Sequence, residues 1–362
     1  MPSRPAPVLL PLVLATGLVL AACGGGDTGS DGAPDTGADG GNTGSDSAPD
    51  AGGATSEAPG GPEPGLTIGL TYTPDVQFAP FYVAEQRGYF EDAGVDVELR
   101  HHGASEGLFT AALTGQEDLV VAGGDEMLQA VAEGADLVTT ATLYQDYPVA
   151  LVVPEDSVID TLEDLPGHMV GVPGEFGQTW FGLQVLLDQL GEAAEEVDVE
   201  TIGFTQVSAV ASGQVDAVMG FVNNEPVALE RQGTPTRTIG LGDDVPLVGI
   251  GLIATGQALE DDAEAVQAVT DAVLRAVTDI VADPQVAVDA AAEYVPDLTT
   301  DEARTAALAT MEATVPLYGT GEQIGAVDAQ RWAAMSEFMA EQGLIPQQVD
   351  TEQLLLEPVG SR

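Results

Sequence analysis

The sequence predicts an α/β fold in two lobes, each a mostly parallel sheet flanked by helices, with a helical tail. Three observations carry this. From residue 66 onward, short apolar runs alternate with amphipathic helical patterns. The alternation starts afresh near residue 157. After the apolar run "VPLVGIGLIAT" at 245–255, nearly everything reads as helix.

In chain order, "LTIGLTY" (66–72) is a strand and "APFYVAEQRGYFEDAG" (79–94) a helix closed by Gly94. "VDVELR" is a strand, and "SEGLFTAALTG" (105–115) a helix with Ser105 as its cap. "DLVVAGG" is a strand, and "DEMLQAVAEG" a helix ending at Gly134. "LVTTATLY" (137–144) and "PVALVVP" (148–154) add two strands. The second set runs from "HMVGVP" (168–173) through helix "QTWFGLQVLLDQLG", strand "VDVETIG", helix "TQVSAVASG", strand "VDAVMGFV" and helix "PVALERQG" to strand "TRTIG" (236–240). Exits between the lobes are placed near 154–157 and 241–246. Lobe one is therefore 66–155 plus 245–362, and lobe two is 156–244. In the tail, Trp332, Met335, Phe338 and Met339 share one helix face, the spacing of core packing.

The first 65 residues follow different rules. Residues 1–22 carry Arg4, the apolar run "VLLPLVLATGLVL" and small residues before Cys23, the pattern of a secretory signal. Leu20-Ala21-Ala22-Cys23 resembles the lipobox of bacterial lipoproteins, in which the cysteine is acylated; an ordinary signal peptide is the alternative. Residues 23–65 then form an acidic linker of Gly, Asp, Ser, Thr, Ala and Pro with no aromatic residue, too polar to order itself. As a coil it spans roughly 35 Å. Cys23 is the chain's single cysteine, so no disulfide forms within it. The expected location is the extracytoplasmic face of a bacterial membrane, held by lipid alone.

The formal net charge is −50, from 59 acidic residues against nine arginines and no lysine. Such a surface repels nucleic acid and anionic lipid. Without lysine no Schiff base forms, which excludes pyridoxal-phosphate and aldolase chemistry. His101 and His102 are adjacent and His168 is remote, so no metal set is expected.

Ligands of open α/β sheets bind outside the carboxyl ends of the strands. That rule selects Tyr72, Gln77 and Phe78, then Asp125, then Tyr144 and Gln145 in lobe one. In lobe two it selects Glu175 and Phe176, and the stretch "GFVNNEP" with Phe221, Asn223 and Glu225. Five of these are aromatic in a chain with 5% aromatic residues, which suits stacking on a flat heterocycle. Pro226 reads as the first helical residue, which puts Glu225 on the N-cap, where Asp or Ser would serve better. Glu225 is thus a carboxylate for a ligand's donor groups with Asn223 beside it, or else a partner for its own helix dipole. The "PGEFGQTW" turn resembles an anion site. Glu175 stands inside it, however, and no Arg falls in any selected turn, so an anion ranks below a neutral or weakly cationic heterocycle.

Four stretches carry a family resemblance: "FAPFYVAEQRGYFEDAGVDVEL", "LTGQEDLVVAG", "VIDTLEDLPGHMVGVPG" and "SGQVDAVMGFVNNEP". They resemble the solute-binding proteins of ABC importers. The branch is the one for thiamine pyrimidine precursors, related to sulfonate, taurine and nitrate binders. The resemblance spans about residues 66–345. It implies a two-lobed, type II-like periplasmic-binding-protein fold that captures a thiamine-precursor or riboflavin-like compound. It implies a permease and its ATPase as partners, a monomer, no cofactor and no catalysis. In this branch an Asn-Glu pair at the place of Asn223 and Glu225 contacts ligand. Sulfonate, taurine or nitrate is the alternative ligand. The related pyrimidine synthases rely on a lysine-bound cofactor and a cysteine-rich motif, neither of which this chain has.

Overall fold

The computed structural model describes residues 65–71, 73–103, 106–242 and 245–356. Cys23, Tyr72 and Ser105 lie outside the described residues. The first half holds strands β1 (Leu66–Leu70), β2 (Val97–His101), β3 (Leu119–Gly123) and β4 (Leu137–Thr142). Between them lie helices α1 (Ala79–Gln86), α2 (Tyr89–Asp92), α3 (Thr110–Leu113) and α4 (Gly124–Ala132). The second holds β5 (Val149–Pro154), β6 (Met169–Val172), β7 (Asp198–Thr201), β8 (Ala217–Phe221) and β9 (Thr236–Ile239), with α5 (Gly177–Leu190), α6 (Gln206–Ala211) and α7 (Glu225–Arg231). Then come β10 (Ile250–Thr255), α8 (Gly256–Ala282), α9 (Gln285–Ala291), α10 (Asp301–Thr314) and α11 (Ala329–Glu341). None of the described helices is long and apolar enough to cross a membrane.

The strands form two five-stranded sheets, β2-β1-β3-β10-β4 and β7-β6-β8-β5-β9. Both are mixed: four of the five strands in each run the same way, the mostly parallel sheet that the sequence suggested, and one runs against them. In each, two strand pairs are parallel and the crossover strand is antiparallel to both neighbours. Strand β5 belongs to the second sheet, so its assignment to lobe one, with an exit at 154–157, is corrected: the chain crosses at 143–148. It returns to the first sheet along 240–249. The apolar run of β5 fits any fully buried strand, and that is why its own sequence does not reveal its sheet.

Alternation along the strands sorts the core. Leu119 and Val121 face a cluster with Ile68, Phe81, Tyr82, Val269 and Val273, under the helices α1, α8 and α9. Val120 and Ala122 face the other way, into a cluster that also holds Leu151 and Val153 of β5 with Phe181, Trp332 and Met335. This cluster runs from the first sheet into the second without a break. Val152 faces a third, smaller cluster with Val218 and Leu229. The tail face read as core is core: Trp332, Met335, Phe338 and Met339 are buried. Each such side chain contributes about 1.5–3 kcal/mol by burial. Helices α8, α10 and α11 are capped by Thr255, Thr300 and Asp328, whose side chains accept first-turn N–H groups.

The two crossing segments touch. A Cβ on Gly249 would stand 2.4 Å from the carbonyl oxygen of Tyr144. Backbone meets backbone here, so no side chain is available to give way. Gly249→Ala is expected to destabilise the chain by about 1–3 kcal/mol, as overpacked sites do. Urea unfolding monitored by circular dichroism checks this, and an unchanged midpoint contradicts it.

Candidate functional site

Because β10 and β5 run antiparallel to their neighbours, both crossing segments start their strands beside the carboxyl ends of the parallel ones. Ile250 pairs with Gly123, the last residue of β3, and Val149 pairs with Phe221, the last residue of β8. The strand-end turns of both sheets therefore converge on residues 143–148 and 240–249. Two polar clusters sit there, each joining the lobes.

The first forms around the turn from β8 into α7. Helix α7 begins at Glu225 itself, after Asn224 as N-cap, so the expected placement of Glu225 on the cap is off by one. Pro226 occupies the second helical position, where its missing N–H again costs nothing. Glu225 is buried and turns back to accept the Phe221 N–H through Oε2 at 2.7 Å. It satisfies the end of its strand, while Asn224, the N-cap of α7, makes no side-chain cap hydrogen bond. Asn223 is fully buried, and its Nδ2 donates to Oγ1 of Thr314, the last residue of α10, at 2.8 Å. Its Oδ1 has no partner among the described residues. Tyr144 packs edge-on against Tyr318, the ring centroids 5.4 Å apart. The Tyr144 phenol is pushed up by burial, opposed by the Asn223 and Thr314 side chains and aided by Asp75.

The second cluster joins the N-termini of α4 and α5. Asp125 is fully buried; its Oδ2 accepts from the Tyr147 hydroxyl at 2.6 Å, and its Oδ1 accepts from Glu126 N at 2.8 Å. Glu126 Oε2 accepts from Gly123 N at 3.0 Å. The Tyr147 oxygen also lies 2.9 Å from the Gln178 carbonyl in α5, so one phenol spans both lobes. Asp125 and Glu126 are both lifted above the usual carboxylate range, chiefly by burial, Glu126 to about 7.

The structure thus brings together Asp125, Tyr144, Asn223 and Glu225 at the lobe boundary. Among the described residues, the side chains of the other expected positions stand outside these clusters. Glu175 is exposed. Phe176 is 56% exposed and meets Phe204, 77% exposed, at a centroid distance of 6.3 Å. Phe78 stands edge-on to His101, and Phe221 is half-buried against the shared core. Gln77 is half-buried beside Asp75, which accepts its backbone N–H at 3.0 Å. Gln145 is engaged in the crossing, donating to the carbonyls of Thr142 (2.6 Å) and Ala326 (3.1 Å).

Other residues at the site were not foreseen. Thr314, Tyr318 and Arg331 come from the helical tail, and Tyr147 and Gln178 flank residues that were selected. No arginine falls within the selected turns in sequence, yet Arg331 reaches one of them from the tail, donating to the carbonyl of Gln145 at 2.6 Å. Tyr147 carried a readable signal, an aromatic residue right after the selected Tyr144-Gln145-Asp146 turn. Thr314 carried none. The histidines separate as expected of neighbours on a strand: His101 meets the Tyr82 hydroxyl and His102 meets Glu117. Among the described residues no group of three or more His, Cys, Asp and Glu is placed to hold a metal.

Comparison with known proteins follows the same outline. Residues 75–287 match the family described as NMT1/THI5 like. The chain is 30% identical over 294 residues to the riboflavin-binding protein RibY of Chloroflexus aurantiacus, covering 80% of this chain and 84% of RibY. It is 22% identical over 249 residues to the 4-amino-5-hydroxymethyl-2-methylpyrimidine phosphate synthase THI13 of Saccharomyces cerevisiae, covering 65% and 73%. Its fold matches that of the periplasmic aliphatic sulphonate binding protein SsuA from Escherichia coli, with a TM-score of 0.67 and 20% identity over 82% and 92% of the two chains.

Burial lifts Glu225 to about 7 from an ordinary 4.5. The folded chain therefore holds a proton that the unfolded chain releases. The contribution is complete below about pH 4.5 and is lost as pH rises through about 7. It amounts to something on the order of 3 kcal/mol. The ligand-free protein is expected to melt higher at about pH 5 than at about pH 8, with a smaller difference in Glu225→Gln. Melting curves across that range check it, and an equal slope in the variant contradicts it.

Proposed function

This chain belongs to the NMT1/THI5-like family, and we propose that it is the extracytoplasmic substrate-binding component of an ABC importer. Its ligand in this reading is a small, flat nitrogen heterocycle of the flavin or aminopyrimidine class, taken between the lobes. The observation that carries the reading is the pairing of Glu225 with Asn223. Both are buried at the lobe boundary, and the Asn223 Oδ1 is an acceptor with no donor among the described residues. A buried acceptor beside a carboxyl group suits a ligand edge that presents N–H donors. The imide edge of a flavin and the amino edge of an aminopyrimidine both do so. The riboflavin-binding relative supports the flavin option, and the synthase relative supports the pyrimidine one.

In the same reading Cys23 carries the lipid, the acidic linker lets the domain range from the membrane, and the permease with its ATPase receives the ligand. The synthase likeness raises catalysis as a second reading. The chain has no lysine, so any chemistry that needs an imine from the protein falls away.

A thermal-shift screen of the full chain, refolded to remove co-purified ligand, tests the reading. The panel holds riboflavin, aminopyrimidine precursors of thiamine, taurine, an alkanesulfonate and nitrate. A ligand at about 100 times its Kd adds roughly 2.7 kcal/mol, enough to move the midpoint by a few degrees. A shift with riboflavin or an aminopyrimidine is expected, and a shift with the anions alone overturns the reading. Glu225→Ala is expected to weaken the heterocycle at least about tenfold in calorimetry, with folding retained. Unchanged affinity removes Glu225 from the ligand.

A further inference from the structure

Two helix N-termini meet across the lobe boundary: α4, of nine residues, and α5, of fourteen. Such ends present free N–H groups and the positive end of the helix dipole, and together they favour negative charge. Helix α5 has no side-chain cap and no acidic residue in its first turn. What faces it comes from the other lobe. Glu126 Oε1 lies 3.3 Å from the place a Cβ on Gly177 would take, while its Oε2 holds Gly123 N at 3.0 Å. Asp125 holds Glu126 N and the Tyr147 hydroxyl.

A second observation is independent of these carboxyl groups. Gln178, in the first turn of α5, is 5% exposed, and its Nε2 has no acceptor among the described residues. That amide nitrogen sits 3.0 Å from the position of a Cβ on Gly123, the N-cap of α4. The junction therefore holds more donors than the protein itself uses.

We propose that Asp125 and Glu126 set the charge selectivity of the cleft: they take the junction of the two helix N-termini for themselves and bar oxyanions from it. This rests on the reading of the cleft as the ligand site. The carboxyl oxygens already accept N–H groups that a sulfonate or sulfate needs, and the charge that Glu126 carries above about pH 7 repels an anion at the same place. Neutral or cationic ligands meet no such barrier. Glu126 is the residue to change, because removing Asp125 would also take from Tyr147 one of its two acceptors.

Calorimetry with methanesulfonate and with sulfate, at about pH 8 and above the value near 7 for Glu126, tests this on the full chain. Wild-type protein is expected to bind neither tightly. Glu126→Ala, which frees the donors, is expected to bind at least about tenfold tighter. Glu126→Gln, which removes the charge and keeps an acceptor oxygen, is expected to fall between. A folded Glu126→Ala chain that binds no tighter overturns the proposal. If that variant does not fold, Glu126→Gln is judged by its own gain over wild type. Wild-type binding of sulfonate as tight as that of either variant also overturns it. Riboflavin and an aminopyrimidine run in parallel on wild type separate the two ideas. Heterocycle binding without anion gain sinks only this proposal, and anion gain without heterocycle binding sinks only the ligand class.

Discussion

The site depends on the antiparallel entry of one crossover strand into each sheet. A strand that arrives from the other lobe and runs against its neighbours must begin at their carboxyl ends. Ile250 beside Gly123 and Val149 beside Phe221 are that constraint in residue terms. It lays both connecting segments along the floor of the region where strand-end turns point. Tyr144, Tyr147 and the turn residues Asp125, Asn223 and Glu225 meet there for that reason. The close approach of Gly249 to Tyr144 follows from the same geometry, since two segments must pass through one narrow place.

Electrostatics then separates the inside of the protein from its outside. The described arginines are mostly engaged with carboxylates at the surface, as Arg87 is with Asp279, Arg237 with Asp160 and Arg275 with Asp92. The buried and half-buried carboxyl groups at the lobe boundary receive backbone N–H groups and a phenol in place of a cation. Hydrogen bonding holds them in place while desolvation opposes their ionisation, and desolvation is the larger influence for Asp125, Glu126 and Glu225. A ligand that supplied donors or positive charge would relieve this conflict. An acidic exterior and a donor-seeking interior thus have separate physical origins, although both show up as negative charge in the composition.

Much of this was legible in the sequence, and the losses have physical causes. Strand and helix alternation gave the class, and the strand-end rule selected Asp125, Tyr144, Asn223 and Glu225 from local pattern alone. What stayed hidden depends on partners far away in the chain. Asn223 meets Thr314 across 91 positions, and Arg331 meets Gln145 across 186. No periodicity encodes such pairings. The sheet assignment of β5 failed because a central strand is apolar on both faces in either lobe. Phe176 stands apart from the buried clusters for a different reason: its ring is exposed and meets Phe204, a pairing between two turns of the second lobe that local pattern does not encode.

The central position of β10 also governs the order in which the protein can be finished. The second sheet is contiguous, since its five strands all lie between residues 149 and 239. The first sheet is not: β4 touches it only through β10, which lies more than a hundred residues further along. A chain emerging from its N-terminus therefore completes its second lobe while the first still has a gap. Until residue 255 is available, β3 keeps an unpaired edge and β4 has no sheet to join. Closure over such sequence separation is slow, and an open edge strand of apolar residues invites pairing with other chains. Early in the life of the molecule, the vulnerable half is the one synthesised first.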